Sequence, residues 1–102
     1  MAVLHITNEN FEAEVLNSEI PVLVDFWATW CGPCQMLGPV IDEVAEEVAD
    51  VKICKVNVDE QQELAVRYGV MTIPTLMVFK NGEVFKKTSG FMPKSELLAL
   101  LK

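Results

Sequence analysis

The sequence predicts an α/β fold built on a central mixed β-sheet with helices on both faces. Three observations carry that prediction. Short, unbroken apolar runs such as Val22-Leu23-Val24-Asp25-Phe26-Trp27 are rich in β-branched and aromatic residues and alternate with stretches of helical periodicity. Runs of this kind lack the in–out alternation of a half-solvated strand, so they suit strands covered on both faces. Asn81-Gly82, between two further β-rich runs, is a two-residue hairpin signal.

Taken in order, Val3–Ile6 reads as a short first strand. Thr7 or Asn8 is placed to cap a helix carrying Phe11 and Val15 on one face, at i,i+4 spacing. Pro21 interrupts that pattern, and Val22–Trp27 follows as a buried strand. Beyond Cys31-Gly32-Pro33-Cys34, the residues Leu37, Val40, Ile41, Val44, Ala45 and Val48 recur at helical spacing, while Asp42, Glu43, Glu46, Glu47 and Asp50 fill much of the rest. Pro33 fits a first helical turn, and Pro39 should kink the helix. Val51–Val58 is another buried strand. Asp59 is placed to cap a short helix that runs to Tyr68 and ends at Gly69. Thr75–Phe79 and Glu83–Thr88 are the strands of the hairpin. Gly90 breaks the second, and Pro93 opens a last helix bearing Leu97, Leu98, Leu100 and Leu101. The order β-α-β-α-β-α-β-β-α leads to the mixed sheet.

Composition narrows the function classes. The 102 residues suffice for one domain, 1–102, and 51 % of them are hydrophobic, enough for a single core. No apolar run approaches the roughly 20 residues that span a bilayer. Met1–Glu14 lacks the basic start and apolar stretch of a secretory signal. The net charge of −7 is uneven: residues 1–50 hold ten acids and no Lys or Arg, and residues 51–102 hold eight basic residues and five acids. No basic stripe is available to neutralise phosphates, so neither nucleic acid nor an anionic membrane is an expected partner. Three cysteines, Cys31, Cys34 and Cys54, do not suggest a secreted disulfide scaffold and suit a reducing, cytoplasmic compartment.

The chemistry concentrates at Trp30-Cys31-Gly32-Pro33-Cys34, which follows a strand and opens a helix. Free amides and the positive end of the helix dipole favour a thiolate at Cys31, and the thiolate is the nucleophile. Cys34, three residues on and more buried, can attack a mixed disulfide formed at Cys31. Zinc is the competing reading. It wants four ligands, commonly in two pairs, and only Cys54 and His5 remain as candidates, neither in a second pair, so no metal is expected. Asp25 is an acid inside an apolar strand, where burial should raise its pKa. It reads either as a proton acceptor for Cys34 or as an acid paired with Lys55 and otherwise idle.

Val24-Asp25-Phe26-Trp27-Ala28 ahead of Trp30–Cys34, together with Lys55-Val56-Asn57-Val58-Asp59, Tyr68-Gly69-Val70, Ile73-Pro74-Thr75-Leu76 and Phe79-Lys80-Asn81-Gly82, resembles the thioredoxin family signature over nearly the whole chain. The resemblance implies a thioredoxin fold and a monomer with general protein-disulfide reductase activity. It implies no bound cofactor, reducing equivalents reaching the chain from NADPH through a thioredoxin reductase. The implied substrates are disulfide proteins such as ribonucleotide reductase, peroxiredoxins and methionine sulfoxide reductases. It further implies Cys31 as attacking thiol, Cys34 as resolving thiol and Pro74 as a cis proline facing them, and it favours the proton-acceptor reading of Asp25, with Lys55 offsetting part of the cost of its charge. A disulfide oxidase or isomerase usually carries His before the second cysteine, where this chain has Pro33. A binding role on the same surface, without redox chemistry, is a third reading.

Two departures from the family pattern stand out. Many members carry Lys after the second cysteine, where this chain has Gln35, so thiolate stabilisation rests more on the helix terminus. Met71-Thr72 stands where many have Gly or Ser before Ile-Pro, and Thr72 is placed to alter partner preference. Trp30 reads as an exposed wall of the site and Trp27 as packing support. Ile73 is placed to pair its backbone with a substrate strand, and Gly90 to let that chain approach closely or simply to end a strand. Cys54 reads as a buried, inert thiol and His5 as surface or strand filler. Met36 and Met92 read as a soft rim of the site or as core filler.

Overall fold

The computed structural model describes residues 2–102. The strands are β1 (Val3–His5), β2 (Val22–Trp27), β3 (Lys52–Asn57), β4 (Thr75–Lys80) and β5 (Glu83–Ser89). The α-helices are α1 (Gly32–Glu47), α2 (Gln62–Arg67) and α3 (Lys94–Leu100). The strands form one mixed sheet in the order β1-β3-β2-β4-β5. β3 runs parallel to β1 and β2, whereas β4 runs antiparallel to β2 and β5. The apolar run of β2 thus lies at the centre of the sheet, with Val22–Phe26 all buried.

Side-chain alternation along β2 sorts the core into two layers. Val22, Val24 and Phe26 face Phe11, Val15 and Leu64 on one side. Leu23 faces Leu37, Ile41 and Val44 of α1 and Leu97 of α3 on the other. Helices therefore cover both faces. Asp25 shares the parity of Leu23 and so points toward α1. That orientation brings the buried carboxyl beneath the helix carrying the cysteine pair.

The hairpin forms at Asn81-Gly82, both with positive φ (54° and 79°). Glycine suits position 82: side chains rarely adopt its φ, and a Cβ there would press to 3.1 Å from the Leu16 carbonyl oxygen. α1 continues through Pro39, and Pro93 precedes α3 as expected.

Two elements differ from the sequence expectation. The segment after β1 is a π-helical turn, Glu12–Leu16, in which the Asn17 N–H donates to the Glu12 carbonyl at 2.9 Å. Thr7 does cap its approach, accepting from the Asn10 N–H at 3.3 Å. The Lys52 ammonium donates to the Glu14 carbonyl at 2.9 Å and so occupies an acceptor that a regular helix would use internally. Asp59 does not cap α2. Asn57 supplies the acceptor for that turn, taking the N–H groups of Asp59 (2.9 Å) and Glu60 (3.2 Å). Of the two readings of Met92, core filler is the one observed: it is buried in the cluster that holds Leu97 and Ile41.

Cys54 lies in the middle of β3, fully buried beside Val24 and Leu4. Burial pushes its thiol up to about 12, the main cause being desolvation of the thiolate. A thiol held neutral in this way is a poor nucleophile. Cys54→Ala is expected to leave disulfide turnover within about twofold and to cost on the order of 1 kcal/mol through the small cavity left behind. A large activity loss with the fold intact, read by circular dichroism, would overturn the inert assignment.

Candidate functional site

Cys31 ends the loop after β2 and caps α1 from an extended conformation (φ −88°, ψ 112°). Gly32 and Pro33 form the first helical turn, where the missing N–H of proline costs nothing. The Cys34 N–H, one of the amides a helix start leaves free, donates to Cys31 Sγ at 3.2 Å. The sulfur thus takes the place an Asp or Ser oxygen takes in an ordinary cap, and negative charge on it is favoured by the same amide and by the dipole.

The two cysteines are joined as a disulfide with Cα atoms 5.2 Å apart. The sequence places an accessible Cys31 beside a hidden Cys34, but in the disulfide each is only 5 % exposed. The bond turns the sulfurs toward one another, and Ala28, Trp27 and Ile73 pack around them. What distinguishes the two in this state is position, Cys31 at the helix cap and Cys34 within the first turn.

The Ile73–Pro74 peptide is cis. The Ile73 carbonyl oxygen stands 3.7 Å from Cys31 Sγ, which brings this loop against the helix-capping end of the pair. Gly90, at φ 91°, donates its N–H to the Pro74 carbonyl at 2.8 Å and ties the end of β5 to the same loop. Thr72 and Met71 are exposed just ahead of it, Met71 at 91 %. Trp30, next in sequence to Cys31, is 70 % exposed. Its indole N–H donates to Asp59 Oδ2 at 2.9 Å, so a residue read as a helix cap instead orients this ring. The partners lie 29 residues apart, and no local pattern announces the contact. Gln35, exposed, returns its amide to the Thr29 carbonyl at 2.8 Å and closes the loop containing both cysteines.

Beneath α1, Asp25 is 1 % exposed and one carboxylate oxygen, Oδ1, has no hydrogen-bond partner. Burial pushes its carboxyl from the ordinary 3.8 up to about 7, against the opposing pull of the Lys55 charge. Lys55 is the β3 residue directly opposite Asp25. Its ammonium lies 3.8 Å from where a Gly38 Cβ would sit and 5.3 Å from the centroid of Trp27. Gly38 and Cys34 are one turn apart on α1, so Asp25, Lys55 and Cys34 converge on one side of the sheet. The predicted residues Trp30, Cys31, Gly32, Pro33, Cys34, Ile73, Pro74 and Gly90 therefore meet at one end of the sheet, with Asp25 and Lys55 behind them. Among the described residues no cluster of His, Cys, Asp and Glu could hold a metal ion, and no helix is long and apolar enough to cross a membrane.

Comparison with known proteins agrees with this geometry. The family model described as Thioredoxin matches residues 2–102. A thioredoxin of Haemophilus influenzae is 53 % identical over 96 residues, covering 93 % of this chain and 90 % of its own. One from Bacillus subtilis is 52 % identical over 102 residues, covering 99 % and 96 %. A chloroplastic protein of Oryza sativa subsp. japonica, thioredoxin M5, is 50 % identical over 94 residues, which is 91 % of this chain and 55 % of that protein.

Proposed function

The chain belongs to the thioredoxin family and has its thiol–disulfide oxidoreductase activity, and from that premise we propose how its residues divide the work. Cys31 is the attacking thiol. Its thiolate attacks one sulfur of a substrate disulfide, that S–S bond breaks, and the departing sulfur takes up a proton. Cys34 then loses its proton, with Asp25 as the acceptor, directly or through one water. The Cys34 thiolate attacks Cys31 Sγ, releases the second substrate sulfur and leaves the Cys31–Cys34 disulfide. Two electrons pass to the substrate. Lys55 limits the cost of charge on Asp25. The backbone of Thr72 and Ile73 and the indole of Trp30 form the two sides on which the substrate chain lies, with Gly90 leaving room for it and Pro74 fixing the loop.

One observation supports this reading above the others: a disulfide closed across the first turn of a helix, with the Ile73 carbonyl against its capping sulfur. We assign residues 1–102 as one thioredoxin domain, acting as a monomer in the cytoplasm. It binds no cofactor and is re-reduced by a thioredoxin reductase drawing on NADPH. Its substrates are disulfide proteins of the kind represented by ribonucleotide reductase, peroxiredoxins and methionine sulfoxide reductases. Reduction of insulin by dithiothreitol, followed as turbidity with and without the protein and NADPH plus reductase, tests the activity and its electron source. No acceleration would refute it.

Cys34→Ser separates the two thiol roles. Without the resolving thiol the first exchange still proceeds and the second does not. The variant, exposed to a cell extract, is expected to hold substrate proteins as mixed disulfides through Cys31, releasable by dithiothreitol. Turnover should fall by more than about 10²-fold while the first attack remains rapid. A variant that captures nothing would argue that the surface binds without exchanging.

A further inference from the structure

We infer that the cleft beside the Thr72–Pro74 loop is a subsite for a substrate carboxylate, an Asp or Glu side chain near the disulfide being reduced. The inference rests on the reading that the substrate chain lies along Thr72 and Ile73. The cleft measures about 330 Å³ and is bounded by Met71 and Thr72 on the loop side and by Lys87 and Ser89 of β5 on the other. Thr75 forms part of its lining, its hydroxyl already donating to the Thr72 carbonyl.

Sheet register puts the cation in this cleft. Thr75 stands opposite Ser89 and Met77 opposite Lys87, so the side chains of Ser89 and Lys87 share one face of β5. Among the described residues the Lys87 ammonium has neither an ion pair nor a hydrogen bond, whereas Lys52 and Lys94 are both paired with acids. A free ammonium with hydroxyls beside it has the donors a carboxylate requires and presents no competing acid.

The surrounding charges give the cleft discriminating power. Around the cysteine pair, Trp30, Gln35, Met71, Thr72, Ile73 and Gly90 include no cation. At the Trp30 end of the site, Asp59 accepts the indole N–H. A docked chain therefore spans a negative flank at Asp59 and a positive flank at Lys87. Lys87 lies three residues back from Gly90, about 10 Å along the strand. Gly90 bonds the Pro74 carbonyl, beside the Ile73 carbonyl that meets Cys31, so an acid within a few residues of the substrate cysteine, on the Thr72 side, would reach the cleft. Thr72 and Met71, the positions where the chain departs from the Gly or Ser common in its family, line this same cleft.

The test uses disulfide-linked peptides carrying Glu or Gln at each position within three residues of the cysteine. Each peptide is mixed with the reduced full-length protein and the second-order rate of reduction is read. The wild type is expected to prefer Glu about three- to fivefold at one or two positions on one side of the cysteine, as fits a partly exposed charge pair. The preference should shrink in about 0.5 M salt. In Lys87→Gln the Glu/Gln ratio should fall to about one, and in Lys87→Glu it should invert. Lys87 is exposed on an edge strand, so both variants should retain the wild-type melting curve. Equal rates for Glu and Gln peptides at every position would overturn the subsite while leaving the reductase activity intact, as would a preference that survives in Lys87→Glu. If the wild type reduces no peptide at all, the reductase reading falls and the subsite falls with it.

Discussion

Cys31→Ser is expected to abolish disulfide reduction, with a loss of more than about 10³-fold, the scale seen when a covalent catalyst loses its nucleophile. The hydroxyl that replaces the thiol has no thiolate chemistry and cannot form the mixed disulfide, so nothing downstream proceeds. The helix start would be spared, because a serine oxygen accepts the Cys34 N–H that the sulfur now accepts at 3.2 Å. Serine is a preferred cap, and the melting temperature of the reduced protein should therefore move little. That contrast gives the variant its value: activity and stability part company. Iodoacetamide kinetics supply the matching measurement. In the reduced wild type, one cysteine should react far faster than the others near neutral pH, and this fast phase should vanish in Cys31→Ser. A fast phase that persists would transfer the attacking role to Cys34, since Cys54 is buried with its thiol held at about 12.

The elements that local pattern could specify were legible in the sequence. β2 announced itself through an unbroken apolar run, α1 through its periodicity, and the hairpin through Asn81-Gly82. The position of the cysteine pair at a strand-to-helix junction followed from those two neighbours. What local pattern missed depended on contacts between distant residues. The π-helical turn involves Lys52 reaching a carbonyl 38 residues away. Asp59 has the position of a cap because it precedes a helix, yet Asn57, two residues earlier, captures the Asp59 and Glu60 amides and leaves the Asp59 carboxylate to Trp30. Met92 could border the site or fill the core on sequence grounds, and only the packing of α3 against α1 decides for the core. The cis peptide at Pro74 had no local signal and came from the family resemblance alone. The contact between the Ile73 carbonyl and Cys31 joins residues 42 positions apart.

Asp25 illustrates a conflict between local and global preference that the fold retains at its site. An acid in the centre of a buried strand costs stability, and one oxygen has no partner to offset the loss of water. A carboxyl held at about 7 rather than 3.8 carries a charging cost of roughly 4 kcal/mol once fully ionised. The sign follows from linkage. The folded pKa lies above the unfolded one, so the neutral acid's contribution is fully present below about pH 4 and is lost as pH rises toward about 7. Above that window the penalty is constant.

Asp25→Asn removes the titration and with it the penalty. The amide brings a cost of its own, because its N–H groups enter the same poorly partnered space, on the order of 1–3 kcal/mol. That cost does not vary with pH, so the diagnostic is the change between two pH values. The advantage of the variant over the wild type should grow by roughly 2 kcal/mol between pH 5 and pH 7 in denaturant unfolding curves of the oxidised protein. In the proposed mechanism the same substitution deprives Cys34 of its proton acceptor. Release of the reduced substrate from the mixed disulfide should slow by about 10²-fold at pH 7 in single-turnover experiments, the usual size of a lost general base. The first attack by Cys31 should be much less affected, because that thiolate is stabilised at the helix cap rather than by Asp25. The deficit should narrow as pH rises and hydroxide takes over the proton. A variant whose stability difference is flat from pH 5 to pH 7 and whose release step keeps the wild-type rate would reduce Asp25 to a buried acid beside Lys55 with no part in the exchange.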